Sequence, residues 1–264
     1  MKKYFVHLIA DYGVGDPAFG EVIQKLKMLA PDLDVYPTSV PAFSTLNTGF
    51  WIAQYALHNI FASLAIYSNT APRKDKKQPR EKNEGEGLVY AKLKNGVSVV
   101  AVNAGYNMSF IKNEIADFRK VNVANKGSQF RSRDFYPNAV VKILENDPKI
   151  LGEKLDIKSI PDVPQNHIAS IDGYGNIKTS TRRSQVTFEE AQKLKVKIDS
   201  QTHVAYFADG NFSVTEGELA FAAGSSGGEK DPFIELFLRG GSAWELFDKP
   251  KIESEISFDQ TPEH

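Results

Sequence analysis

The chain has 264 residues, 41% of them hydrophobic, enough for one large core or two moderate ones. Its 32 Lys and Arg nearly balance its 33 Asp and Glu, so bulk charge points to neither nucleic acid nor an anionic membrane as partner and leaves a small molecule as the expected substrate. There is no cysteine, which excludes disulfides, thiolate metal sites and a cysteine nucleophile, and fits a reducing, cytoplasmic compartment.

Residues 4–10 form a continuous apolar run ending at Asp11-Tyr-Gly, the pattern of a buried parallel strand whose C-terminal end opens into a loop. The run follows Met-Lys-Lys as the core of a signal peptide would, but it contains His7 and stops at Asp11 without a cleavage pattern, so it reads as the first strand. No apolar run approaches the ~20 residues that span a bilayer. Asp16 and Pro17 are placed as cap and first residue of a helix over 18–29, with Phe19, Val22, Ile23, Leu26 and Leu29 on its apolar face. A strand over 33–36, a helix over 45–59 and a strand over 61–67 follow, an alternation that predicts a parallel sheet covered by helices.

Residues 73–87 change abruptly to Lys, Arg, Glu, Gln, Asn and Gly and read as a mobile, solvated surface loop. Lys94-Asn-Gly96 between the runs 88–93 and 97–102 is a hairpin signal. A strand-like run over 119–124 and a helix-like run over 136–144 flank Phe130-Arg-Ser-Arg-Asp134, a polar segment that also reads as a helix N-terminus capped by Ser132 or Asp134.

Three prolines between residues 147 and 164 place a domain boundary near 156–165. The expected fold is α/β: an N-terminal domain over 1–158 with a mostly parallel central sheet flanked by helices, then a smaller β-barrel-like domain over 166–264. Short strands are expected in the second domain over 167–171, 177–181, 203–207, 218–223 and 232–238, decorated by helices over 188–195 and 242–247. The five histidines show no ligand spacing, so no metal site is expected.

Asp11-Tyr-Gly-Val-Gly-Asp-Pro17, Tyr67-Ser-Asn-Thr70, Phe130-Arg-Ser-Arg-Asp134, Ile171-Asp-Gly-Tyr-Gly-Asn176 and the glycine- and serine-rich stretches at 224–227 and 239–242 occur in the order seen in one family. In this the chain resembles the S-adenosylmethionine (SAM) hydroxide adenosyltransferase and fluorinase–chlorinase family along nearly its whole length. The resemblance implies that Asp11 contacts the ribose side of SAM and that Phe43 falls near an aromatic packing on the nucleoside. It implies that Tyr67, Thr70, Phe130 and Ser132 surround the ribose C5′ and the incoming nucleophile, as in the halogenating branch. Asp172 matches a carboxylate for the methionine part, with Tyr174 and Asn176 in the turn that follows. Phe207 matches an adenine-stacking aromatic, and Arg239 an arginine whose neighbouring backbone, Gly240 and Gly241, reads the adenine edge.

The chain departs from the hydroxide-using branch at the residues expected to activate water. Ser68 stands where that branch has Asp, Arg131 where it has His, and Ser226 replaces the Arg of a Gly-Ser-Arg-Gly turn. Arg131 could attract a halide or raise the hydroxide fraction of a nearby water, or point to solvent.

The expected activity is therefore cleavage of SAM by transfer of its 5′-deoxyadenosyl group to a small nucleophile. Water or hydroxide comes first, giving adenosine and L-methionine, and halide second. SAM is a substrate, so no cofactor is implied. The resemblance further implies a homotrimer with sites between the N-terminal domain of one subunit and the C-terminal domain of its neighbour. The alternative, motivated by Ser68 and Arg131, is a SAM- or adenosine-binding protein of the same fold without turnover.

Overall fold

A computed structural model describes residues 3–58, 60–72, 84–124, 126–210, 212–228 and 230–260. The chain forms two compact units, Met1–Asp162 and Val163–His264. Most of the expected charged loop, residues 73–83, lies outside the described residues.

The first unit is built on a seven-stranded sheet of β1 (Phe5–Ala10), β2 (Asp34–Ser39), β3 (Leu64–Asn69), β4 (Leu88–Leu93), β5 (Ser98–Val102), β6 (Ile115–Val121) and β7 (Leu151–Lys154). The strands lie in the order β2-β1-β3-β5-β4-β6-β7. The expected parallel arrangement holds for β2, β1, β3 and β5, while β5–β4, β4–β6 and β6–β7 are antiparallel, which makes the sheet mixed. The tight turn at Lys94-Asn-Gly96 is the local cause, since it returns the chain to pair beside its predecessor without a crossover.

Helices α1 (Pro17–Leu29), α2 (Thr45–Leu57), α3 (Arg131–Asp134) and α4 (Tyr136–Leu144) cover this sheet. Asp16 starts α1 by accepting the Ala18 N–H at 2.8 Å, with Pro17 in its first turn. α1 packs on α3 and α4, whereas α2 packs on β1 and β3. Strand alternation sorts the faces accordingly. Val6, Leu8, Ala65 and Tyr67 join Val22, Leu26 and Val140 in one core, while His7 turns the other way and stacks on Tyr55 of α2 at 3.7 Å.

The second unit is a seven-stranded sheet of β8 (Ile168–Ile171), β9 (Ile177–Arg182), β10 (Lys193–Ile198), β11 (Gln201–Ala208), β12 (Leu219–Ala223), β13 (Phe233–Leu238) and β14 (Ile256–Gln260), with the one-turn helix α5 (Ala243–Leu246). Its order is β14-β10-β11-β12-β13-β9-β8, antiparallel at every step except β11–β12. The two edges curl toward one another. A single bridge joins His167 to Glu255, and the Ile168 N–H donates to the Ser254 carbonyl at 2.9 Å. Ile177, Leu194, Val196, Phe207, Phe221, Leu236 and Phe247 fill the core within.

The helix expected over 188–195 is absent. Leu194, Val196 and Ile198 are buried while Lys193, Lys195 and Lys197 are exposed, a period of two that belongs to a strand, and Ala191 takes a left-handed φ of 63° in the turn before it. The strand expected over 119–124 begins earlier, at Ile115, and the short edge strands β7 and β14 were not anticipated. Among the described residues no helix is long and apolar enough to cross a membrane.

Candidate active site

In the first unit the parallel strands lead to one edge. The connection after β1 runs through α1 to β2 on one side, whereas β3 is followed in the sheet by β5 on the other. Adjacent strands whose continuations diverge leave a crevice at their C-terminal ends, where open α/β sheets bind ligands. Asp11 and Tyr12 follow β1 there, and Asn69 and Thr70 close β3.

Ser132 is brought to this crevice from far along the chain. Its Oγ lies 2.5 Å from the Tyr12 hydroxyl, and its carbonyl accepts the Tyr67 hydroxyl at 3.0 Å. The Asn69 side-chain amide donates to the Tyr12 hydroxyl at 3.0 Å. The Tyr12 ring stands edge-on to Phe19 and Phe130, with centroids 5.0 and 5.8 Å away, and the Ser39 hydroxyl donates to its carbonyl at 2.5 Å. Ser132 caps no helix: α3 starts after Phe130 without a side-chain cap, and Asp134 instead accepts from Ser128 and Arg133.

Burial pushes the Tyr67 phenol well above its usual range, reinforced by Tyr12 and Tyr136 nearby, so it is a fixed neutral donor. Among the described residues the buried Ser68 and Thr70 hydroxyls have no hydrogen-bond partner, while the Thr70 carbonyl accepts from Asn107, which also bonds the Val102 carbonyl. That clamp holds the end of β3 to the end of β5. Orphaned buried hydroxyls are uncommon and call for a partner.

Asp11 accepts the Phe43 N–H at 3.1 Å, and Phe43, 44% exposed, has a left-handed φ of 67°. A bulky residue rarely holds that conformation without support from its surroundings, and such strain concentrates at functional sites. The Arg131 guanidinium lies where a Cβ on Gly85 would stand, and its charge favours the ionised Tyr136 phenol against the larger opposing effect of burial. Arg133 covers the Phe130 ring at 4.9 Å and pairs with Glu21 at 2.8 Å. The structure thus gathers Tyr67, Ser132, Thr70 and Phe130 around the ends of β1 and β3, with Asp11 and Phe43 beside them.

In the second unit Asp172 organises the turn between β8 and β9. Its carboxylate accepts the Tyr174 and Asn176 N–H groups at 3.0 Å each and the Asn176 side-chain amide at 2.9 Å, with Lys178 at 3.5 Å. Burial pushes this carboxyl up, but the Asn176 bonds, the Lys178 charge and the Tyr174 bond outweigh it and leave the group below its ordinary value. The turn needs glycine at 175, where φ is 82° and a Cβ would run into the Ser242 side chain. Lys178 also pairs at 2.8 Å with Glu235, whose carboxylate is buried. Tyr174 projects 84% exposed.

Phe207 is a correction. It is 1% exposed, enclosed by Phe188 and Phe221 with the Arg183 guanidinium 4.8 Å over its ring, so it is a core side chain and offers no face for stacking. The open aromatic beyond the same strand is Phe212, 77% exposed and edge-on to Phe237 at 5.6 Å. Arg239 binds this loop from beneath, donating to the Val214 carbonyl at 2.5 Å, and the Gly241 N–H donates to the Leu238 carbonyl at 3.1 Å.

No protein-family model matches the chain, and no curated protein matches it. Solved structures do. An uncharacterized conserved protein from Thermotoga maritima is 17% identical with a TM-score of 0.74, covering 96% of this chain and 100% of that one. A conserved hypothetical protein from Thermus thermophilus is 16% identical with a TM-score of 0.67, covering 97% and 99%. The fold is shared. Both relatives are similar from end to end, so the two-unit architecture is not peculiar to this sequence.

Tyr12, Asn69 and Phe212 were not among the residues expected from the sequence. Tyr12 and Asn69 lie at strand ends next to Asp11 and Thr70, and strand alternation places Asn69 on the Tyr67 side of β3; that alternation was the available signal.

Proposed function

We propose that this chain cleaves SAM by displacement at the ribose C5′, transferring the 5′-deoxyadenosyl group to water or hydroxide and, second, to halide. The observation that carries this reading is the meeting of Tyr67 and Ser132 at the strand-order switch, with the buried Thr70 hydroxyl, which has no hydrogen-bond partner among the described residues, just past the end of Tyr67's strand. A sulfonium is already a good leaving group. The nucleophile forms its bond to C5′, the C5′–S electron pair departs with methionine, and attacking water releases one proton to solvent. What remains for the protein is placement and dehydration, for which fixed hydroxyl donors in a buried crevice are suited.

In this proposal Asp11 binds the ribose hydroxyls and Phe43 packs on the nucleoside. Phe212 takes the adenine-stacking role first assigned to Phe207, because its ring is open. Asp172, with Tyr174 and Asn176, serves the methionine end, and Arg239 with Gly241 shapes the adenine edge. Membership of the SAM hydroxide adenosyltransferase and fluorinase–chlorinase family, a homotrimeric assembly and a cytoplasmic setting belong to the same proposal.

The test is incubation with SAM in chloride-free and chloride-containing buffer, followed by chromatography for methionine, adenosine and 5′-chloro-5′-deoxyadenosine. Methionine release with either nucleoside product supports the reading, and its absence under every condition sinks it. The second reading, binding without turnover, is favoured by the placement of Arg131 against Gly85 and Tyr136. Calorimetric SAM binding without product selects it.

A further inference from the structure

We propose that Tyr12 is a positioning residue that fixes which way the Ser132 proton points; this rests on the displacement reading above. The Asn69 amide nitrogen has only protons to give, and it gives one to the Tyr12 oxygen at 3.0 Å. Tyr12 and Ser132 share a contact of 2.5 Å in which either could donate. In this inference the Tyr12 oxygen, accepting from Asn69, gives its own proton to Ser132, and the Ser132 proton is left to a ligand. The Ser132 carbonyl is separately committed to Tyr67.

Amide, phenol and serine thus run as donors in one direction, each polarising the next, so Ser132 donates more strongly than an isolated hydroxyl would. A chain of this sense stabilises negative charge at its end and contains no base. The phenol is held for the task by Phe19 and Phe130 against its ring and by Ser39 on its carbonyl. Its three members come from the loop after β1, the last residue of β3 and α3, so the order exists only in the folded unit.

The experiment is a double-mutant cycle on SAM cleavage with Tyr12→Phe, Ser132→Ala and the pair. Tyr12→Phe keeps the ring contacts, and an unshifted thermal midpoint verifies that the fold is intact. It should lower kcat by about tenfold with KM for SAM within about twofold, and it should add nothing in the Ser132→Ala background. Asn69→Ala should act in the same direction by a smaller factor. Losses that multiply across the cycle, or a loss confined to KM, overturn the inference while leaving the displacement reading standing. An unaltered protein that releases no methionine overturns both.

Discussion

The Asp11 carboxylate and the Phe43 N–H, 32 residues apart, meet at 3.1 Å, and this bond secures an exposed aromatic in a left-handed backbone conformation. The ring is presented by strain held in check, not by burial. Replacing Phe43 with Gly relieves a conformational cost of about 1–2 kcal/mol and loses only a half-exposed side chain, so the denaturation midpoint should hardly move. SAM or adenosine affinity, measured by calorimetry, should fall severalfold. Unchanged affinity would remove Phe43 from the nucleoside site.

Phe207 and Phe212 should part company in opposite ways. Phe207→Ala empties a core position and should cost about 3–5 kcal/mol in urea unfolding. Phe212→Ala alters an exposed ring and should stay within about 0.5 kcal/mol, yet weaken nucleoside binding. The reverse pattern in binding would restore Phe207 as the platform and contradict its burial.

Lys178 and Glu235 form the most buried ion pair among the described residues. Lys178→Met leaves a buried carboxylate without its cation and should destabilise the protein by about 3–5 kcal/mol. Combining it with Glu235→Leu should recover much of that loss. Equal losses in the single and double variants would show that packing, not charge, sets the cost.

Burial raises Tyr67 well above its ordinary 10.0 and raises Tyr55, Tyr90 and Tyr136 in the same direction. The folded state therefore holds these protons more tightly than the unfolded chain, so this stability is complete below pH 10 and is lost as pH rises beyond it. Urea midpoints should fall from about pH 10 upward, with tyrosinate absorbance lagging behind that of the unfolded protein. A midpoint flat through that range would contradict the burial of these phenols.

Asp172 has the opposite sign. Its carboxyl is depressed in the fold, so its contribution is present above the ordinary 3.8 and is lost as pH falls through the folded value. Asp172→Asn should flatten the acid limb of the stability profile while leaving the alkaline limb alone. An unchanged acid limb would mean that the turn does not depend on the charge.

The parallel half of the first sheet was legible because its strands are continuous apolar runs and its first helix carries a cap and a proline at the right places. The Ser132 segment was legible as a strand-to-helix junction, and its resemblance made it a candidate site. Its partners Tyr12 and Asn69 were not, because the bonds that unite positions 12, 69 and 132 exist only once a loop, a strand end and a short helix converge. Lys193–Ile198 was misread because Glu-Glu-Ala-Gln before it favours helix, whereas the alternation that decides the matter begins only at Leu194. Phe207 was misassigned because local sequence does not distinguish a ring facing the core from one facing solvent. Register in the sheet does that, and it places Phe207 opposite Phe221.

β11 and β12 run side by side in the same direction within a sheet that otherwise folds back on itself. Two such neighbours cannot be joined by a tight hairpin, so residues 209–218 must make a return journey whatever their identity. The segment bearing Phe212 is thus an obligation of topology, pinned by Val214 in a core cluster with Ala208, Ala220 and Ala222 while Phe212 itself lies open. A ring carried on an obligatory crossing can be exchanged without moving the strands it joins.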